Sequence, residues 1–479
     1  MVDMFFRQIY DTRLAQAAYL VGCQRTGEAI VFDPERDVDR YIDLAKQNGL
    51  RIVAVAETHI HADFLSGARE LAERTGAVVH VSAMGGSEWS SRWLDKKVGG
   101  GSYQHVLLRD GTTFRVGNID FTAMHTPGHT PEHVSFLVVD RGGGANEPMG
   151  IVTGDFVFVG DLGRPDLLES AAGVEGMARS SAHHLWTSAR RFIDVLPEWI
   201  QVWPAHGAGS ACGKALGAVP QSTVGYEKRF NPALRAAADE HRFVEFILEG
   251  QPEPPTYFAR MKYENRDGPA VLGGLPAPRA ITDPAELAAL AGRAQVLDVR
   301  SWADFRQGHL RGALFTPLDG NFSTIAGSYA DPSRDVVLVS DRAKVEECVR
   351  SLVRVGIDRI EAFAEPGVLR GLGAELVQSR DVDVAGARRM IDAGGVFVLD
   401  VRKATEFAEG RIDGATNIAH TRLAARLDEL PRTTPILCHC KAGGRSAYAT
   451  ALLERHGFTV TNMAGGFDAW SKAGAPVLV

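Results

Sequence analysis

Two stretches of this 479-residue chain are copies of one another, and no other feature narrows its fold as much. Val296–Ala313 reads VLDVRSWADFRQGHLRGA and Val398–Ala415 reads VLDVRKATEFAEGRIDGA, with Asp, Arg, Phe and both glycines in register. Each copy runs on into a strand pattern rich in Val, Ile and Leu, VVLVSD in the first and PILCHC in the second, and then into a helix-compatible segment. A unit of roughly a hundred residues is too long for a solenoid repeat. It predicts two small α/β domains with parallel sheets, spanning residues 275–378 and 379–479.

The region before them, residues 1–265, alternates strand-like runs such as IVAVAETHI and VSFLVV with helical ones such as GARELAERTG. QPEPPTYFARMKYENRDGPAVLGGLPAPRA follows it, rich in Pro and Gly, and reads as a linker or wrapping segment. A formal charge of −7 gives no basic field for nucleic acid or an anionic membrane, so neither is an expected partner. No apolar run approaches the length needed to span a bilayer, and MVDMFFRQIY does not read as a signal peptide. Five cysteines in so long a chain are no disulfide framework; a reducing cytoplasm is the expected compartment.

Histidines and aspartates collect where the strands of the first region end. RIVAVAET runs into His59-Ile60-His61-Ala62-Asp63-Phe64; His129 lies in TPGHTPEH, Asp155 in IVTGDF and His206 in VWPAHG. While the chain stays extended, alternation puts His59 and His61 on one side. Imidazole with carboxylate suits a borderline transition metal such as zinc or iron. His183 and His184, in SSAHHLWTSARRFIDVL, read as packing or surface residues of a helix.

THIHAD, TPGHT, TGD and PAHG, in that order, resemble the metallo-β-lactamase fold, an αββα sandwich with metal along one edge. The resemblance covers the whole first region. Dinuclear hydrolases of that fold carry a final His in H-x-H-x-D-H; here that position is Phe64, which ligates nothing. The resemblance therefore implies one metal, held by His59, His129 and Asp155, with His61, Asp63 and His206 around it. Two His and one carboxylate are the ligand type of non-haem iron(II) oxygenases. With GDLGRPD at residues 160–166, the region is similar to the persulfide dioxygenase branch, which implies one Fe(2+) per chain and places Arg164 where a substrate carboxylate would be gripped.

The second copy ends in Cys438-His439-Cys440-Lys441-Ala442-Gly443-Gly444-Arg445-Ser446. A cysteine that leads a Gly-rich turn into a helix N-terminus meets backbone N–H groups and the positive helix end, which favour thiolate over thiol. The copies and this loop together resemble the rhodanese family. The resemblance implies Cys440 as sulfur-transfer nucleophile, with Arg445 closing the loop around an anion. Asp400 is expected to anchor backbone or an arginine, and Cys438 to face the interior. Cys23, Cys212 and Cys348 have no comparable setting, although Cys212 lies near the metal-site loops in sequence. Aligning VVLVSD with PILCHC puts Asp341 at the position of Cys440 and Glu346 at that of Arg445, so the first copy is expected to be inactive.

The expected fold is thus α/β: a metallo-β-lactamase sandwich followed by two rhodanese-type domains. The expected reaction is oxidation of a low-molecular-weight persulfide by O2 to sulfite and thiol, joined to sulfur transfer among persulfide, sulfite and thiosulfate. A homodimer is the default assembly. The alternatives are a zinc thioester hydrolase of glyoxalase II type with an attached sulfurtransferase, and a non-catalytic sulfur carrier with a structural metal.

Overall fold

A computed structural model describes residues 3–170, 176–214 and 216–478. The chain separates into two units, one of residues 1–251 and 257–274, the other of residues 252–256 and 275–479. In the first, strands Met4–Asp11 (β1), Gln16–Cys23 (β2), Glu28–Phe32 (β3), Arg51–Ala56 (β4), Val78–Ser82 (β5) and His105–Leu108 (β6) form one sheet in that order. Thr113–Val116 (β7), Ile119–His125 (β8), Val134–Asp140 (β9) and Gly150–Gly154 (β10) join Gln201–Pro204 (β13) and Ser222–Thr223 (β14) in a second sheet. A short hairpin, Val157–Phe158 (β11) and Asp161–Leu162 (β12), lies between β10 and β13 in the chain.

The period of two explains the layers. Tyr19, Val21 and Cys23 of β2 face the other sheet, where Phe32 packs on Phe121 and Phe136 with ring centroids 5.4 and 5.0 Å apart. Ala18 and Leu20, which alternate with them, face the helices Asp39–Gln47 and Ala68–Thr75. The second sheet is covered in turn by the amphipathic helix Met177–Val195 through Ala182, Leu185, Ala189 and Phe192. This is the expected αββα sandwich. His183, on that helix, is half-exposed and pairs with Glu240 on the surface.

Both repeats fold as anticipated, with the same strand order. In the first, Arg279–Ile281 (β15), Gln295–Asp298 (β16), Leu314–Phe315 (β17), Val336–Val339 (β18) and Ile360–Ala364 (β19) lie in the order β15-β19-β18-β16-β17, all pairs parallel. In the second, Arg380–Val382 (β20), Phe397–Asp400 (β21), Thr416–Asn417 (β22), Ile436–His439 (β23) and Val460–Met463 (β24) lie in the order β20-β24-β23-β21-β22. The repeats share one unit and touch through polar contacts. Asp381 accepts from Trp302 Nε1 at 3.1 Å and from Asn462 Nδ2 at 3.0 Å, and Tyr448 donates to Asp319 at 2.8 Å.

The strand register corrects one alignment. Asp298 pairs with Val339, and its counterpart Asp400 pairs with His439. The residue after each strand end is therefore the equivalent one, and Ser340, not Asp341, stands where Cys440 stands. The strands are identical in length, so only the hydrogen-bond ladder reveals the one-residue slip. The loop that follows is one residue longer in the first repeat, whose helix starts at Val345 against Gly444 in the second. Glu346 and Arg445 thus both remain the second residue of their helices.

Glu454, on the helix after Cys440, meets the first repeat and accepts from Ser379 Oγ at 2.7 Å, with His309 Nε2 at 3.9 Å. Burial lifts its carboxyl from 4.5 to about 7 despite the Ser379 bond. The folded state therefore holds this proton more tightly than the unfolded chain. The contribution to stability is complete below about pH 4.5 and is lost as pH rises through about 7. Glu454→Gln, which cannot ionise, is expected to remove up to about 2–3 kcal/mol of that pH dependence. Thermal unfolding of both proteins at about pH 5 and about pH 8 checks it: the midpoint should fall less in the variant.

Candidate metal centre and sulfur-transfer loop

β4 stops at Ala56, three residues short of His59, so the extended run expected through His61 does not form. Thr58 is drawn aside by Asp33, whose carboxylate accepts from the Thr58 N–H at 2.7 Å and its hydroxyl at 2.9 Å. Past that bend the imidazoles of His59 and His61 lie 4.2 Å apart between centroids but serve different partners. His59 Nε2 faces Asp155 Oδ2 at 3.9 Å, whereas His61 Nε2 faces Glu57 at 3.0 Å and Asp33 at 3.2 Å. His61 is thus held by two carboxylates apart from Asp155, and with Asp33 and Glu57 it forms a further buried cluster of donors within 4.8 Å.

His129 comes from the loop between β8 and β9, its Nε2 3.4 Å from Asp155 Oδ2. Its Nδ1 donates to the Arg164 carbonyl at 3.0 Å, which fixes the tautomer and leaves Nε2 for a ligand. Asp155 follows β10. Gly154 before it adopts φ +52°, and a Cβ there would lie 2.5 Å from Thr58 Oγ1 and 2.7 Å from His133 Nε2. The TGD glycine is thus demanded by close approach as well as by backbone angle. His133 accepts from the Asp155 N–H at 3.1 Å and reaches Thr126 Oγ1 at 2.8 Å, locking the carboxylate's backbone.

His59, His129 and Asp155 present donor atoms within 4.8 Å of one another, all buried. His59 Nε2 and both oxygens of Asp155 have no hydrogen-bond partner among the described residues. Burial, then neighbouring His61, presses the His59 imidazole well below its usual value, so it stays neutral. Burial alone would raise Asp155, but His206, His59 and His129 outweigh it and hold the carboxyl well below its usual range. A neutral imidazole and a carboxylate with orphaned buried atoms fit a divalent cation, which would satisfy all of them at once.

His206 and Asp63 meet on the same edge. His206 Nε2 lies 3.3 Å from Asp63 Oδ2 and 3.3 Å from Asp155 Oδ1, and its Nδ1 donates to the Ala15 carbonyl at 3.0 Å. Cys212 joins them; Asp63, His206 and Cys212 form a second set of donors within 4.8 Å. Phe64 is fully buried, its ring 4.4 Å from that of His61. Arg164 is expected to grip a substrate carboxylate, but its guanidinium is buried and bound by Asp166 at 2.8 and 2.5 Å, with the Ala211 carbonyl at 3.2 Å. A carboxylate two residues along the chain already fills that fork.

Three positioning residues escape a reading of motifs: Asp33, His133 and Asn265. Asn265 sits on a helix, Phe258–Asp267, inside the segment read as a linker. Its amide donates to the carbonyls of His61 (2.8 Å) and Phe64 (2.7 Å) and accepts from the Ser66 N–H (2.8 Å), stapling the metal loop. The Pro/Gly content around the helix hides it; the spacing of Phe258, Met261 and Asn265, all buried, is the signal that was there to find.

At the other site β23 delivers Cys440, buried, with the Gly443 N–H donating to its sulfur at 3.1 Å and Ser446 Oγ at 3.5 Å. The loop is tied from behind: Phe467 and Asp468 N–H groups donate to the carbonyls of Cys440 (2.7 Å) and Lys441 (2.9 Å). Gly466 permits this, since a Cβ there would meet the Cys440 carbonyl at 2.4 Å. Arg445 forks onto Glu406 at 2.5 and 2.8 Å, and this guanidinium, against the effect of burial, holds Glu406 at about 2. Asp400 anchors Arg402, as anticipated, in a pair whose closest contact is 2.6 Å. Cys438 is buried in the strand.

The family comparisons agree with this geometry. The metallo-β-lactamase superfamily model matches residues 11–206, and the rhodanese-like domain model matches residues 283–366 and 383–473. A crystal structure of a metallo-β-lactamase from Staphylococcus aureus subsp. aureus COL superposes with a TM-score of 0.68 and 40% identity, covering 76% of this chain and 99% of that one. The chain belongs to the metallo-β-lactamase superfamily. More narrowly, it has the form in which that domain is followed by two rhodanese-like domains. A beta-lactamase hydrolase-like protein of Xylella fastidiosa is 30% identical over 49% of this chain and 53% of its own length. The human mitochondrial persulfide dioxygenase ETHE1 is 25% identical over 50% of this chain and 78% of its own. The chain spans about half the length of the first of these curated relatives.

If Asn265 orients the metal loop, Asn265→Ala should weaken metal binding by about 10–100-fold and cost about 1–3 kcal/mol of stability. Competition titration against a chromogenic chelator reads the first effect, and denaturant unfolding the second.

Proposed function

We propose that this chain oxidises a low-molecular-weight persulfide with O2 at the His59–His129–Asp155 centre and moves sulfane sulfur at Cys440. The observation that carries the reading is the ligand set itself: two imidazoles and one carboxylate, buried, with Phe64 where a dinuclear hydrolase has histidine. Three protein ligands leave positions open, unlike the closed set of a structural zinc. The 25% identity to a persulfide dioxygenase and the attached rhodanese pair support the same chemistry.

One Fe(2+) held by the triad would supply the activation of oxygen. The chain's own residues do the rest. The Arg164 carbonyl and Thr58 Oγ1 fix the two imidazole tautomers through Nδ1. His133 holds the Asp155 backbone, and the buried rings of Phe64 and Phe158 pack against His61 and His206. At the second site, the Cys440 thiolate attacks the outer sulfur of a persulfide or thiosulfate. A new S–S bond forms as the donor's own S–S bond breaks, and the electron pair leaves on the thiolate or sulfite. The Gly443 N–H and Ser446 hydroxyl, already aimed at the sulfur, would hold the anionic persulfide. Ser340 offers no comparable nucleophile and Glu346 is bound to Arg350 at 2.8 Å, so the first repeat is assigned no transfer. Five free cysteines, all buried, fit a reducing cytoplasm. Among the described residues no helix is long and apolar enough to cross a membrane.

The test is oxygen consumption by the purified protein with glutathione persulfide, with iron and zinc quantified on the same sample. Uptake with about one iron per chain is expected. His129→Ala should lower uptake by about 100-fold or more while sparing thiosulfate transfer, and Cys440→Ser should do the reverse. Zinc with thioester cleavage and no uptake would replace this reading with the hydrolase.

A further inference from the structure

Arg445 is expected to close the Cys440 loop around an anion, but its guanidinium already holds one. Nη1 and Nη2 donate to the two oxygens of Glu406 at 2.5 and 2.8 Å, the two-pronged geometry of the strongest ion pairs. Glu406 acts on Arg445 more than the Cys440 sulfur or Asp400 does. Burial would raise the Glu406 carboxyl, but Arg445 outweighs it and holds the acid at about 2, so it is ionised at any working pH. The pair is partly exposed, Arg445 at 21% and Glu406 at 24%, so its charges face solvent as well as the loop.

Glu406 is also a capping residue, and the first repeat separates the two roles. Its Oε2 accepts from the Lys403 N–H at 3.1 Å at the start of the helix Ala404–Glu409. The matching residue of the first repeat, Asp304, takes a hydrogen bond from Ser301 Oγ at 2.6 Å at the same point of its helix. There the counterpart of Arg445 is Glu346, which turns to Arg350. The shorter acid serves the helix start alone. Glu406, one carbon longer, reaches a partner 39 residues along the chain.

With Glu406 in place, the loop meets a sulfur donor with an ion pair of no net charge and two neutral groups. These are the Gly443 N–H and the Ser446 hydroxyl, 3.1 and 3.5 Å from the Cys440 sulfur. Lys441, the other cation of the loop, is exposed to solvent. Thiosulfate brings two negative charges to the S–S bond under attack; a protonated persulfide brings none. A fixed carboxylate discriminates between them by repulsion.

We propose that Glu406 is a specificity-determining residue of the Cys440 site: by neutralising Arg445 it admits organic persulfides and thiols and disfavours the dianions thiosulfate and sulfite. This rests on the reading of Cys440 as the transfer nucleophile. The Cys440 thiolate attacks the outer sulfur of R–S–SH; a new S–S bond forms, the donor's S–S bond breaks, and the electron pair leaves on the thiolate R–S⁻. A second thiolate then takes the outer sulfur from Cys440 in the same way and restores the Cys440 thiolate, with no net oxidation.

Single-turnover loading of sulfur onto the full chain decides it, read by intact mass under nitrogen so that no persulfide is oxidised, with the loading of Cys440→Ser subtracted. Glutathione persulfide should load wild-type protein about tenfold faster than thiosulfate or more. Glu406→Gln keeps the side-chain length and an acceptor for the Lys403 N–H, and should shrink that preference about tenfold. Added salt should narrow the wild-type gap, because it screens a partly exposed charge, and this needs no variant. Equal loading from the two donors in wild type, a gap that salt leaves unchanged, or an unaltered preference in Glu406→Gln would overturn the proposal. No loading of Cys440 from either donor would instead refute the sulfur-transfer reading, and the proposal with it.

Discussion

A carboxylate placed in a dry interior governs this molecule. Asp155 is buried, neither oxygen has a hydrogen-bond partner among the described residues, and three imidazoles converge on it from separate loops. An isolated buried charge is among the most expensive things a fold can contain. The surrounding architecture is arranged to make that position tenable. Gly154 bends the chain into it, His133 ties its amide, and the Nδ1 atoms of His59, His129 and His206 are each occupied by an oxygen so that every Nε2 turns inward. A divalent cation at this position would satisfy the two carboxylate oxygens and the inward-turned Nε2 atoms together.

Around it further carboxylates take hold of a neighbouring histidine. His61 lies as close to the edge in sequence as His59, yet Asp33 and Glu57 claim its Nε2. Those two acids hold the His61 ring, and Asp33 also bends the strand end through Thr58. One aspartate therefore contacts both the bend at Thr58 beyond β4 and the His61 imidazole.

The tandem repeats show how far chemistry diverges on a fixed backbone. Sheet order, the register of β16 and β21 against their neighbours and the Asp–Arg pair at their ends are the same in both: Asp298 with Arg300, Asp400 with Arg402. What differs is the turn that follows. Cys440 meets a Gly443 N–H; in the first repeat Ser340 has replaced the sulfur, and Lys344 pairs with Asp341 at 2.7 Å in a loop one residue longer. A cradle for an anion has become an internal ion pair, while Asp319 and Tyr329 of that repeat bond to Tyr448 and the His420 carbonyl of the other.

Much of this was legible in the chain before any coordinates. The repeat announced two α/β domains because a hundred-residue unit with a Val/Leu-rich strand has few other folds. The four His/Asp motifs marked one sheet edge, since each follows an apolar run, and CKAGGR marked a turn that only glycines can make beside a sulfur. Sequence could not say which nitrogen of which histidine faces inward, because that depends on oxygens from residues far away in the chain: Ala15 for His206, Arg164 for His129. It misplaced Asp341 because strands of equal hydrophobicity slide freely until their hydrogen bonds are paired. It left Cys212 and Asn265 without partners, since long-range contacts have no local signature. Residue chemistry and order along the chain determined the class of site; tertiary packing alone decided which groups share it, because burial and hydrogen bonding assign each donor its partner.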